Sequence, residues 1–132
     1  MIVVDASAVI ELLLNSTTAA DISGRLFRAG ETLHAPHLLD VEVLQVLRRY
    51  AHRGVLNEDR GAEAVDDFLA LPIERYAHDL LAERIWDLKE NLTAYDAAYV
   101  ALAELLRAPL LTRDGRLAKA SRLSTGIECI VV

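Results

Sequence analysis

Two periodicities alternate along this chain. Ile2-Val3-Val4 is a short, continuous apolar run of β-branched residues that stops at Asp5. Such a run reads as a strand buried on both faces of a parallel sheet. From Ser7 to about Leu14 the pattern turns helical, and Asn15-Ser16-Thr17-Thr18 supplies a break and a cap. A helix over about 18–29 sets Ile22, Leu26 and Phe27 on one face, with Gly30 just past its end. Thr32-Leu33-His34-Ala35 reads as a strand closed by Pro36. A helix over about 37–53 buries Leu39, Val43, Val46, Leu47 and Tyr50, and another over about 57–71 starts at the cap residue Asn57. Pro72-Ile73-Glu74-Arg75 is a faint strand, followed by one helix over about 77–90 with Leu80, Leu81, Ile85, Trp86 and Leu88 as its apolar set. A helix rich in alanine and leucine spans about 94–107. Pro109–Thr112 is a buried strand, 114–122 a turn and short helix, and Glu128–Val132 a last strand. Strands alternating with helices predict an α/β chain, a three-layer α/β/α sandwich around a central parallel sheet, in one domain over residues 1–132.

Composition narrows the classes. At 132 residues and 53% hydrophobic, the chain can build one core. No apolar run reaches the roughly 18 residues of a membrane span. No basic segment precedes the first apolar run, so no signal peptide is expected, and the expected location is cytoplasmic. The single cysteine, Cys129, sits in a strand-like tail and forms no disulfide framework. A net charge of −6 argues against a basic nucleic-acid coat protein, yet a cluster of metal-binding carboxylates makes a nuclease site locally acidic.

Most of the 20 acids recur on polar helix faces. Four stand apart. Asp5 ends a buried strand, and Asp114 follows another by one residue. In open α/β sheets the carboxyl ends of strands face the ligand crevice. Glu42 has Leu38, Leu39, Gln45 and Val46 as its helical neighbours, and Asp96 faces Tyr99 and Val100. Each has a plainer role open to it: a helix cap for Asp5, a capping pair with Thr93 for Asp96, a solvent-reaching edge for Glu42, a turn for Asp114. Their conjunction favours chemistry. Four carboxylates in one crevice repel unless a cation joins them, and oxygen-only ligands suit Mg²⁺ or Mn²⁺. Such an ion points to phosphodiester hydrolysis. Ser7 and Thr112 adjoin two of the acids and are candidate supporting hydroxyls. Arg113, Arg116, Lys119 and Arg122 are candidate RNA-phosphate contacts; Arg48, Arg49 and Arg53 are a second basic set that equally fits helix-end charge complementing the dipole.

Val3-Val4-Asp5-Ala6-Ser7, Glu42, Tyr95-Asp96-Ala97-Ala98-Tyr99-Val100-Ala101-Leu102-Ala103 and Leu110-Leu111-Thr112-Arg113-Asp114-Gly115-Arg116-Leu117 resemble, in order and spacing, the PIN-domain ribonucleases. Within them the chain is similar to the VapC toxins of type II VapBC toxin–antitoxin modules. The resemblance implies that Asp5, Glu42, Asp96 and Asp114 form an acidic quartet binding Mg²⁺ or Mn²⁺, Asp5 and Asp96 most directly, with Thr112 in support. It implies an RNA substrate, often tRNA or rRNA, and neutralisation by a VapB-type antitoxin seated in a groove beside the acids; Leu12, Leu13 and Leu14 are candidates to line such a groove, with core packing the better reading for most of them. It implies a homodimer, and DNA contact only through the antitoxin. Some relatives carry another acid or amide where this chain has Gly115 and Arg116, which puts a second metal site in question.

Other acid-bearing folds fit less well. A response-regulator receiver wants a second acid near the first strand and a lysine after a late strand, whereas no lysine follows residue 119. A dehalogenase-type phosphatase wants an Asp where Ser7 stands. The remaining alternative is a catalytically inactive PIN-like module that only binds RNA or protein.

Overall fold

A computed structural model describes all of residues 1–132. Five parallel strands form its central sheet in the order β3-β2-β1-β4-β5. They are β1 (Ile2–Val4), β2 (Leu33–Pro36), β3 (Ile73–Tyr76), β4 (Leu110–Thr112) and β5 (Cys129–Val131). Seven helices flank the sheet: α1 (Ala6–Leu13), α2 (Ala19–Leu26), α3 (Leu38–His52), α4 (Glu58–Ala70), α5 (Ala82–Asp87), α6 (Ala94–Leu106) and α7 (Gly115–Ser124). The three-layer α/β/α sandwich expected from the alternating pattern is the observed architecture.

The middle of the sheet is the most apolar part of the chain. Ile2, Val3, Val4, Leu110 and Leu111 are fully buried. α6 lies against β1, β2 and β4. Its residues Ala97 to Ala103 are all buried, because small side chains let the helix lie close to the strands on every side. α1, α3 and α4 pack on one another. α3 ends where Gly54 takes φ +73°, a left-handed conformation that suits glycine.

Three expectations change. Residues 77–90 are not one helix. A single 3₁₀ turn, His78–Leu80, precedes the short α5. No side chain caps either segment. Only Leu81 and Leu88 are buried from the apolar set, with Ile85 partly so, while Leu80 and Trp86 face solvent. Two large residues off the buried stripe, with no cap, leave too little packing to hold a long helix. The second helix is also shorter than expected and leaves Phe27 exposed. Residues 73–76 pair with β2 over their whole length, so the faint strand is a full edge strand. No helix is long and apolar enough to cross a membrane.

β1 has β2 on one side and β4 on the other. The chain leaves β1 for β2 and β3 and returns later to β4 and β5. The carboxyl ends of β1 and β4 therefore flank the point where the winding direction reverses, the usual place for a ligand crevice in such sheets.

Candidate active site

Asp5 extends β1 and caps α1. It is only 5% exposed. Its Oδ1 accepts from the Ala8 backbone N–H at 3.0 Å and from the Ser7 hydroxyl at 2.6 Å, and its Oδ2 accepts from the Thr112 hydroxyl at 2.5 Å. Both hydroxyls are themselves held by the chain leaving β4. The Arg113 backbone N–H donates to Ser7 Oγ, and the Asp114 backbone N–H donates to Thr112 Oγ1. Asp5 is thus clamped from two sides, with one acceptor position left on Oδ2.

Asp114 caps α7, accepting from the backbone N–H groups of Arg116 and Leu117. Asp96 lies in the first turn of α6, whose cap is Thr93 accepting from the Asp96 backbone N–H. Glu42, on α3, accepts at Oε1 from the Tyr99 hydroxyl at 2.8 Å, across 57 residues of sequence. The plainer role is real for Asp5, which caps a helix, and Asp114 caps one as well where only a turn was expected. Both caps leave carboxylate oxygens over for a second task.

Three of the four acids are raised, and a neighbouring acid contributes to each. Burial pushes the Asp5 carboxyl above the ordinary range; bonds from Ser7, Thr112 and Ala8 offset part of that, and the Asp114 charge adds to it. Burial raises Glu42 as well; the Tyr99 bond opposes this, and Asp5 and Asp96 reinforce it. Burial raises Asp96, with Asp114 adding and with Thr93 and Arg116 opposing. No Lys or Arg pairs with Asp5, Glu42 or Asp96, and Asp114 meets only the 98% exposed Arg116, at 3.9 Å. The carboxylates do not form a ready cage, because no three Asp, Glu, His or Cys side chains stand together as metal ligands. Any divalent ion entering here meets oxygen donors alone.

The basic residues separate. Arg116 points into solvent beside Asp114 and near Asp96. Lys119 is exposed. Arg113 is committed elsewhere, its guanidinium bonding Glu11 Oε2 at 3.1 Å and Thr18 Oγ1 at 3.0 Å. Arg122 reaches the Cys129 carbonyl at 3.5 Å. Arg48, Arg49 and Arg53 are exposed at the far end of α3. Leu13 is buried, and Leu12 and Leu14 are half-buried against the core. Sequence reasoning passed over Tyr99, which it took only for an apolar neighbour of Asp96. An acid inside the apolar stretch of α3 needed a donor from a facing helix, and that was the signal available.

Comparison with known proteins gives the chain's family and fold. The PIN domain model matches residues 2–123. Ribonuclease VapC12 of Mycobacterium tuberculosis is 42% identical over 130 residues, covering 98% of this chain and 99% of that protein. Ribonuclease VapC9 of the same species is 44% identical over 130 residues, covering 98% of each. Among solved structures, PAE2754 of Pyrobaculum aerophilum superposes with a TM-score of 0.69 at 22% identity, over 97% of this chain and 82% of that one. M. tuberculosis VapC20, described as a sarcin-ricin-loop-cleaving toxin, gives 0.68 at 16% identity, over 91% of this chain and 95% of that one. VapBC2 of Rickettsia felis, solved with a promoter DNA fragment, gives 0.69 at 11% identity, over 99% and 98% of the two chains. These three likenesses speak to the fold. The family match and the near-full-length identities speak to descent, and by them the chain belongs to the PIN-domain family and, within it, to the VapC ribonucleases.

Proposed function

We propose that this chain is the toxin of a type II toxin–antitoxin module, an endoribonuclease that hydrolyses RNA phosphodiesters with Mg²⁺ or Mn²⁺ at Asp5, Glu42, Asp96 and Asp114. The observation that carries the reading is that burial raises Asp5, Glu42 and Asp96, that a neighbouring acid of the quartet adds to each, and that no cationic side chain is paired to any of the three. The donor set fits the ion. All four side chains offer oxygen, Oδ2 of Asp5 has an acceptor position open, and Oε2 of Glu42 accepts no protein hydrogen bond. A preformed cage is not required, because Mg²⁺ usually takes one or two protein carboxylates and completes its shell with water and substrate phosphate.

When bound, the ion supplies Lewis acidity at the scissile phosphate and offsets the repulsion among the carboxylates. The protein supplies the rest. Ser7 and Thr112 hold Asp5 in one orientation, so no reorganisation is needed as the phosphate arrives. Carboxyls raised by burial are better proton acceptors near neutral pH, which suits Glu42 or Asp96 to take the proton of the attacking water. Arg116 is free to meet a substrate phosphate, since it is 98% exposed and its one ion pair, to Asp114, is at 3.9 Å.

RNA, tRNA or rRNA among them, a VapB-type antitoxin and a second copy of the chain are the expected partners. A cleft between α3 and α4, lined by Leu44, Leu47, Ala51, Ala62 and Val65, lies on the helix that carries Glu42 and suits an antitoxin helix. The test is turnover of total RNA by the purified protein. Cleavage is expected with Mg²⁺ or Mn²⁺, is lost in EDTA, and is lost in Asp5→Asn and Asp96→Asn while the fold remains. Full activity in chelator, or in either variant, refutes the proposal; a protein that binds RNA without cleaving it favours the binding-only module.

A further inference from the structure

Tyr99 is the largest fully buried side chain in the protein, at 2% exposure, and it places a hydroxyl in the core. A buried hydroxyl needs partners. This one donates to Glu42 Oε1 at 2.8 Å. The Ala6 backbone N–H acts on the same phenol oxygen from the start of α1. Burial, with Glu42 beside it, holds the phenol far above its ordinary range, so it remains a donor at every working pH. Three helices meet at that oxygen: α1, whose cap is Asp5; α3, which carries Glu42; and α6, which carries Asp96 one turn before Tyr99.

We propose that Tyr99 is a positioning residue for the acid site, fixing the Glu42 carboxylate by its Oε1 so that Oε2 stays presented to the divalent ion and substrate. The assignment rests on the metal-dependent reading above and extends it to a residue that meets neither ion nor RNA. Glu42 is half-buried and repelled by Asp5 and Asp96. Without a fixed donor, its side chain would rotate away from them toward solvent. Tyr99 supplies that donor from a rigid, fully buried ring. Through it α6 contributes twice: directly with Asp96, and through Glu42 with Tyr99, which lies on the same helix face at a spacing of three.

The test uses the full chain and Mn²⁺ binding by calorimetry, alone and in a cycle with Glu42→Gln. Tyr99→Phe keeps the ring and its packing and removes only the oxygen. It is expected to weaken Mn²⁺ binding roughly tenfold or more, the usual effect of losing a group that orients a metal ligand. In the Glu42→Gln background the same change is expected to add little, because the partner it acts through is already altered. Equal losses in both backgrounds, or none in either, overturn the assignment. A second measurement needs no variant: the Tyr99 hydroxyl proton is expected to give a slowly exchanging NMR signal that moves on Mg²⁺ addition. A signal that stays fixed while Asp96 responds also overturns it. If the wild type binds no Mn²⁺ and EDTA leaves cleavage intact, the metal reading itself fails and this assignment with it. If binding is normal and the cycle is additive, only the role of Tyr99 falls.

Discussion

Replacing Asp5 with asparagine separates the two tasks this side chain holds. As the cap of α1 it accepts from the Ala8 N–H, and asparagine serves that position as well as aspartate does. The Ser7 hydroxyl retains an oxygen to donate to, and the new amide can donate to Thr112. What disappears is a buried charge. In the wild type, burial lifts the Asp5 carboxyl above its ordinary value of 3.8, and hydrogen bonds undo only part of that lift. The folded protein therefore holds a proton over a range of pH in which the unfolded chain has already lost it. Stability falls as pH rises through that range. Asp5→Asn escapes that loss and also relieves Glu42 of one repulsive neighbour. In chelator at neutral pH the variant should be more stable by on the order of 1 kcal/mol, the usual gain from relaxing a strained active site. For a chain of this length that is roughly 3–5 °C in Tm. Stepwise acidification should close the gap, because protonated Asp5 carries no charge. Mg²⁺ should reverse the ranking, since an ion at a hundredfold its Kd stabilises the protein that binds it by about 2.7 kcal/mol. Thermal unfolding followed by circular dichroism, in EDTA and in Mg²⁺, reads all three effects. An Asp5→Asn protein less stable than wild type in EDTA at neutral pH would refute the reasoning and leave Asp5 a structural cap.

Two further outcomes follow from the hydrogen bonds. Thr112→Val removes a hydroxyl that both donates to Asp5 and accepts from the Asp114 N–H, and should destabilise the fold by about 1–3 kcal/mol in urea, while Thr112→Ser should stay near wild type; equal stability of the Val and Ser variants would count against the clamp. Arg116→Ala should flatten the salt dependence of binding to a non-cleavable RNA by about 0.7 in slope. Arg113→Ala should leave that slope alone and reduce stability by at most about 1 kcal/mol, because Arg113 is already held by Glu11 and Thr18. Equal slopes for the two variants would reject the division of labour.

The elements with strong periodicity were legible. β1, β4, α3 and α6 stand within one or two residues of where their apolar runs and caps put them, because each buries a nearly continuous stripe and begins or ends at a residue with one clear backbone role. Residues 77–90 were not, since counting apolar residues does not reveal which of them share a face; Leu80 and Trp86 lie off the stripe made by Leu81 and Leu88. The strand ends pointed to Asp5 and Asp114, and apolar neighbours pointed to Glu42 and Asp96. What one sequence could not show is the pairing between distant segments. Tyr99 and Glu42 are 57 residues apart, and Ser7 and the Arg113 N–H are 106 apart, so neither contact leaves a local pattern.

Those distant pairings explain why the acids can be crowded without a rigid cage. Asp5 alone is fully held, by hydroxyls that are in turn fixed by backbone N–H groups at the end of β4. Because β1 and β4 are adjacent parallel strands, their ends keep register with each other, and the clamp is as rigid as the sheet. The other three acids hang from helix termini or from one phenol, and each keeps part of its carboxylate uncommitted. A site built this way has Asp5 fixed at both oxygens, Glu42 fixed at one, and Asp96 and Asp114 able to adjust. Under the proposed metal-dependent reading, the repulsion is spread over side chains able to move slightly apart, and a bound cation would draw them together. The sheet supplies the fixed point and the helices supply the compliance. Rigidity should therefore be measurable as a gradient across the quartet, with Asp5 and Glu42 keeping their orientation on addition of Mg²⁺ and with Asp96 and Asp114 moving most.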